Sequence, residues 1–449
     1  MDKLRFTYPF CYEPREEILQ AADRMIARIS SDPSLRPLFS EGKMLGVLEV
    51  SDDAGGVDFL YAFSGNAGGR SMVEGFVPPV FDLMDPLGHY KKEEAVISDL
   101  NRRIIHSSDR AEVDELKKLR HSKSIALQDW IFEQYVVHNA NGQALTIKEV
   151  FSRIGSVPPG GTGDCAAPKL LEYAYRNNLH PLAMGEFWYG ASPLKEIRHQ
   201  GIFYPSCMGK CGPLLSFMME GLEVEPNPLD APFSFETDPA ILYEDNAIIV
   251  VNKPSGMLSV PGKTDKVSLL EWLRRTKGSE EIYSCHRLDM DTAGLIVFAR
   301  SVGIKADMER QFQKREVHKT YLARLVPPSP AMKNTRSMRP GSKGTIALPL
   351  MPDYYDRPRQ MVDFEDGKRA VTEYEILRAL PDGSVEVRFS PQTGRTHQLR
   401  VHSAHPQGLG RPILGDRLYG GGSGRLHLTA DSISFRHPVS GESVRFVLP

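Results

Sequence analysis

The segment Cys285 to Arg300, CHRLDMDTAGLIVFAR, holds a carboxylate placed for chemistry. Asp289 stands two residues after Arg287, just ahead of a small-residue turn and the apolar run Leu295 to Ala299, which has the length and composition of a buried strand. A carboxylate at the mouth of a strand and beside cations can serve as a nucleophile. Two other uses are open to it. Asp289 or Asp291 can cap the turn by accepting from the Thr292 or Gly294 N–H, or the two together can hold a metal in a phosphoryl or glycosyl transferase. Three further segments gather unusual polar side chains. Asn252-Lys253-Pro254-Ser255-Gly256 ends a strand-like run, and in Lys319 to Ala323 alternation puts Lys319 and Tyr321 on one face. Thr393 to His402 is dense in donors, among them Arg395, His397, Gln398 and Arg400.

The elements that must position these groups can be read from composition and periodicity. At 449 residues, with 41% hydrophobic and 25% charged residues, the chain predicts two or three soluble globular domains. No apolar stretch approaches the roughly 18 residues that span a membrane. The start, MDKLRFTYPFCYEPREE, carries no apolar signal core, so a cytoplasmic protein with no membrane contact is expected. Residues 231 onward carry 31 Lys+Arg against 25 Asp+Glu, while the preceding 230 carry 24 against 32. The C-terminal half is the better partner for a polyanion.

Helical spacing predicts Glu16 to Arg28, and Gly46 to Val50 and Val57 to Phe63 read as strands around the turn Ser51 to Gly56. Lys91 to Phe132 predicts a helical pair or short coiled coil, and Pro168 to Arg176 another helix. The Gly/Pro cluster Val157 to Asp164 lacks the Gly-Lys-Ser/Thr ending of a phosphate loop. Glu223 to Phe233 has linker composition. Beyond it, strand-like runs follow at Ala247 to Asn252, Gly294 to Ala299, Lys319 to Val326, Ala370 to Ile376, Ser384 to Ser390, Ile433 to Phe435 and Val444 to Val447. Helical patterns interrupt at Ser268 to Arg275 and Ile304 to Lys314. The expectation is an α/β (α+β) chain. An N-terminal α+β domain over 1–230, with a helical segment at about 91–132, leads through a linker at 231–237 into a mixed, mainly antiparallel sheet with flanking helices over 238–449.

Taken together, the polar segments HRLDMDTAG, KTYLA and GRTHQLR resemble the RluA-type RNA pseudouridine synthases, whose patterns are HRLDxxTSG, K-x-YLA and GR(T/S)HQ(I/L)R. Ile241 to Gly262, Arg357 to Glu375 and Gly410 to Gly420 extend the similarity, which covers about residues 238 to 449. The resemblance implies isomerisation of uridine in rRNA, tRNA or both, without a cofactor, by a chain that binds RNA but not DNA and works as a monomer. It implies Asp289 as nucleophile and Arg400 as the arginine paired with it, which would orient its oxygens. A phosphate contact or a structural salt bridge is the other use for Arg400. Tyr321 would stack on the uracil with its phenol near C5. Arg287 would fill the gap left by the flipped nucleotide. His286, Lys319, Arg395, His397, Gln398, Asn252 and Lys253 would contact substrate, the two histidines chiefly by orienting loops. Thr292-Ala293-Gly294 departs from the family's Thr-Ser-Gly and loses one hydroxyl. A catalytically silent RNA-binding protein of the same fold is the competing reading.

The N-terminal half lies outside this resemblance and has no assigned role. The five cysteines, Cys11, Cys165, Cys207, Cys211 and Cys285, are too sparse for a disulfide framework and read as reduced thiols. Cys165, Cys207 and Cys211, with His180 and His199 between, would supply enough soft ligands for zinc. The Cys-x3-Cys spacing is not a strong zinc signature, however, so buried free cysteine is expected and no metal. The aromatics of Glu186 to Gly190, with Phe203 and Tyr204, could stack RNA bases or form local core. Lys195, Arg198 and Lys210 form the only modest basic group.

Overall fold

Apolar side chains alternate along Leu45 to Val50, and each face of that strand finds its own cover. Leu45 and Val47 join one buried cluster with Ile18, Ala22 and Met25, whereas Leu48 and Val50 join another with Ala166, Leu170 and Leu171. The computed structural model describes residues 5–193, 195, 197–228, 238–262, 266–328, 338–354, 356–422 and 424–449. The expected linker at 231–237 lies outside the described residues.

Two compact units emerge. The first comprises Met1–Ala191, Gln200–Ala231 and Tyr354–Arg357. Its elements are α1 (Glu16–Ser31), α2 (Arg36–Phe39), β1 (Lys43–Ser51), β2 (Val57–Phe63), α3 (His89–His106), α4 (Arg110–Gln134), β3 (Val136–His138), β4 (Ala144–Thr146), α5 (Ile147–Ser152), α6 (Ala166–Arg176), β5 (His180–Tyr189) and α7 (Cys211–Met218). The main sheet is antiparallel, in the order β2-β1-β5. Helix α6 packs so tightly on β1 that a Cβ at Gly46 would lie 2.8 Å from Ala166 Cβ. The charged stretch at 91–132 forms the pair α3 and α4, linked by Lys123 to Glu93 at 3.1 Å.

The second unit comprises Ser192–His199, Pro232–Asp353 and Pro358–Pro449, so it takes in a short segment that precedes the expected linker. There Lys195 pairs with Asp363 at 2.5 Å, and Ile197 enters the core. The elements are β6 (Ala240–Glu244), β7 (Ile248–Lys253), α8 (Leu269–Lys277), β8 (Tyr283–Ser284), β9 (Ala293–Ala299), α9 (Val302–Lys314), β10 (His318–Leu325), β11 (Lys343–Ala347), β12 (Leu350–Pro352), β13 (Gln360–Val362), β14 (Val371–Ala379), β15 (Val385–Pro391), α10 (Gln398–Ala404), β16 (Leu428–Arg436) and β17 (Ser443–Val447). The large sheet runs β11-β14-β15-β10-β16-β9-β7-β6, with β17 beside β16 and β8 beside β9. All its pairings are antiparallel except β16 with β9. The mixed, mainly antiparallel sheet expected from sequence is present.

Strand β9 and residues Ile248 to Val251 of β7 are apolar because both their faces are covered. Ile249, Val251, Ile296 and Phe298 face one core, covered by α8 and α10, while Ile248, Val250, Leu295 and Val297 face another, which contains Met308 of α9. Register then lines up three strands at one level. Tyr321 of β10 lies opposite Ala430 of β16, and Ala430 lies opposite Gly294 of β9. On its other side Tyr321 faces Phe389 of β15, two residues before that strand ends at Pro391. The loop ahead of β9, the middle of β10 and the loop after β15 therefore meet.

Candidate active site

The loop before β9 is held by its backbone, which leaves its carboxylate uncommitted. The Thr292 N–H donates to the Asp289 carbonyl at 3.1 Å, so the turn closes without the Asp289 side chain. A second loop fixes both flanks. Ser259 Oγ accepts from the Leu288 N–H at 3.0 Å and donates to the Leu288 carbonyl at 2.8 Å, and Ser255 Oγ donates to the Asp291 carbonyl at 2.6 Å. Lys253, fully buried, donates to the carbonyls of Pro254, Met257 and Met290 at 2.9, 2.7 and 2.9 Å. Burial pushes its pKa down to about 7, against the pull of Asp291 and Asp289. Lys253 was expected to touch substrate. Neither it nor Asn252, which lies opposite Leu295, lines the cleft, because its three donors are spent behind the loop.

Asp289 is half-buried and, among the described residues, forms no side-chain hydrogen bond or ion pair. It opens on a cleft of about 120 Å³ shared with Arg287, Lys319, Tyr321, Arg395 and Arg400. By the same measure one water needs about 10–15 Å³, so the cleft holds a group of several waters' size. Tyr321 is 8% exposed, and burial, followed by the charge of Asp289, raises its phenol pKa, keeping it protonated. The ladder to β16 shifts register between Thr320 and Tyr321, an irregularity of the kind that re-aims side chains beside active sites. Lys319 lies over the Phe312 ring at 5.4 Å, and burial lowers its pKa. Arg287 and Arg395 are exposed at the cleft mouth. Asp291 turns to Arg417 at 3.7 Å.

Arg400 departs from expectation. Its guanidinium makes a two-pronged bond to Asp416, Nε to Oδ2 at 2.8 Å and Nη2 to Oδ1 at 2.6 Å, with both side chains nearly sealed from solvent. The expected Arg400–Asp289 pair is replaced by the structural salt bridge left open above. Burial works against both charges, but each partner outweighs it, raising the Arg400 pKa and lowering that of Asp416. Asp416 Oδ1 also accepts from the Leu418 and Tyr419 N–H groups at 3.0 Å.

The histidines and Gln398 hold the walls. His286 Nε2 accepts the Val297 N–H at 3.1 Å, and burial lowers its pKa to about 3, so the ring is neutral. His397, at φ 53°, meets the Tyr419 hydroxyl at 2.9 Å, and burial brings its pKa to about 4. Gln398 Oε1 accepts from Thr393 Oγ1 and the Arg395 N–H, while its Nε2 donates to the Val371 carbonyl and Thr372 Oγ1. All four bonds are internal, although Gln398 also lines the cleft. Ser259, Asp416 and Tyr419 were not singled out from sequence. The acidic residue in GDRLYG was the available signal, since a buried arginine requires a buried carboxylate.

In the first unit the Cys165, Cys207 and Cys211 sulfurs lie within 4.8 Å of one another. Phe187, Trp188, Tyr189 and Tyr204 are buried, and Phe187 meets Phe203 at 5.4 Å, so these aromatics are core and are unavailable for stacking bases. Lys195 and Arg198 belong to the second unit and Lys210 to the first.

A family model described as RNA pseudouridylate synthase matches residues 247–405. The dual-specificity RNA pseudouridine synthase RluA of Escherichia coli K12 is 43% identical over 217 residues, 46% of this chain and 92% of the relative. Its Haemophilus influenzae counterpart is 41% identical over 213 residues, again 46% of this chain and 90% of the relative. The solved human RNA Pseudouridylate Synthase Domain Containing 1 shows 26% identity over 50% of this chain and 86% of its own, with a TM-score of 0.38. The chain belongs to the RNA pseudouridylate synthase family, enzymes that isomerise uridine in RNA to pseudouridine.

Proposed function

We propose that Asp289 is the nucleophile of this isomerisation and that the target uridine lies in large-subunit rRNA, tRNA or both. The observation that carries the reading is a carboxylate with no internal partner, held by its backbone beside a buried tyrosine in a cleft edged by cations. Isomerisation breaks the N–C1′ bond, turns the base and closes a C5–C1′ bond, after which the C5 proton leaves. Asp289 attacks the ribose or the uracil ring and is regenerated when the new bond forms. Tyr321 stacks on the base, and its protonated phenol can take the C5 proton only as it passes its own O–H proton on to solvent, while N1 gains the proton that balances the isomerisation.

Extruding the uridine costs a few kcal/mol of stacking. Arg287, exposed at the mouth, has the flat guanidinium to replace the lost stack. Lys319 and Arg395 suit phosphate contacts, whereas His286, His397, Gln398, Asn252, Lys253 and the Arg400–Asp416 pair shape the pocket from behind. The relatives are described as dual-specificity RNA pseudouridine synthases, which supports more than one kind of RNA target for this chain. Five free cysteines suit the reducing cytoplasm, and no helix among the described residues is long and apolar enough to cross a membrane.

The test incubates the purified full chain with a uridine-bearing stem-loop RNA, with no added cofactor and with chelator present. Pseudouridine is expected from the native protein and none from Asp289→Ala. Product from that variant would remove Asp289 as nucleophile, and a strict magnesium requirement on a short unfolded RNA would favour the metal-pair alternative.

A further inference from the structure

We propose that the first unit binds one Zn2+ through the thiolates of Cys165, Cys207 and Cys211. Three segments distant in sequence or direction converge there. Cys165 is the N-cap residue of α6, Cys211 is the first residue of α7, and Cys207 lies in the turn that leads into α7. Sulfurs around a tetrahedral zinc, each about 2.3 Å from the metal, stand roughly 3.8 Å apart. The observed 4.8 Å limit leaves less than a rotamer adjustment to close. A disulfide would join two of these sulfurs and strand the third in the core, whereas a metal uses all three.

The surroundings are arranged for thiolates. The Cys165 and Cys211 thiols and the backbone N–H groups of Cys211 and Lys210 point hydrogen bonds at the Cys207 sulfur. Glu186, buried in β5, accepts from the Ala167 N–H at 3.2 Å and from Ser206 Oγ at 2.5 Å, which fixes the residues beside Cys165 and Cys207. Soft sulfur ligands select zinc over magnesium or calcium, and binding releases the remaining thiol protons. Among the described residues no fourth His, Cys, Asp or Glu reaches the cluster, so the fourth position falls to solvent. The metal would tie the starts of α6 and α7 together.

Native full chain is purified under reductant and without chelator, and its zinc is counted by mass spectrometry. One zinc per chain is expected, with affinity lowered at least about tenfold in Cys165→Ser, Cys207→Ser and Cys211→Ser. Cys285→Ser, in the second unit, should keep its zinc. X-ray absorption on the native protein should show three sulfurs at about 2.3 Å, which decides the matter even where a variant fails to fold. A native protein that stays zinc-free after reconstitution would overturn the site. So would zinc retained by all three variants, or a non-reduced mass lower by the two hydrogens of a disulfide.

Discussion

Asp289 and Arg400 share a cleft but do different work. Asp289 spends none of its charge on the fold, whereas Arg400 spends all of its charge on Asp416. Arg400→Ala would leave Asp416 buried and unpaired, so a loss of about 3–5 kcal/mol in urea unfolding is expected. Replacing both partners together, as Arg400→Met with Asp416→Leu, should recover much of that loss. Unchanged stability in Arg400→Ala would show that the pair does not hold this wall. Tyr321→Phe keeps the ring and removes the oxygen. It should bind RNA normally but turn over about 10²-fold or more slowly, the usual size of a lost acid–base contribution, as single-turnover kinetics would show. Asp289 and Tyr321 were marked in the sequence by the resemblance of their motifs, and the structure brings the two into one cleft. The sequence could not show that Arg400 faces Asp416, since which carboxylate a buried arginine meets depends on how α10 packs.

At the scale of elements, β9, β16 and β10 bring the site together, and one glycine permits it. Gly294 has φ +112°, and a Cβ there would lie 2.3 Å from the Ala430 carbonyl oxygen at the parallel β9–β16 contact. Gly294→Ala should therefore lower Tm and displace the Asp289 loop. A variant with native Tm and native activity would contradict the close approach. Strands β7, β9, β10, β14 and β15 were legible from β-branched runs bounded by turns. Helix α10 was not, because its sequence, QLRVHSA, is short and its start at His397 adopts a left-handed conformation that no pattern announces. The loop contacts of Ser255 and Ser259 were equally hidden, since serine in a turn has many local uses.

Across the whole molecule, buried neutral histidines make the second unit acid-sensitive. Burial lowers His286 to about 3 and His397 and His402 to about 4, while each would titrate near 6.5 once unfolded. The unfolded chain therefore takes up protons first, and stability should fall as pH drops from about 6.5 toward 4. Thermal unfolding across that range checks the sign, and a flat Tm would contradict it. The charge asymmetry of the halves was visible in composition, but the convergence of three cysteines was not, because nothing local links Cys165 to Cys207. The central claim is that the Asp289 carboxylate performs the attack. Its most direct test is single-turnover pseudouridine formation by Asp289→Asn on a stem-loop RNA, with binding and Tm measured on the same sample. The account predicts native Tm, retained RNA binding and no pseudouridine, and product formed at the native rate would contradict it.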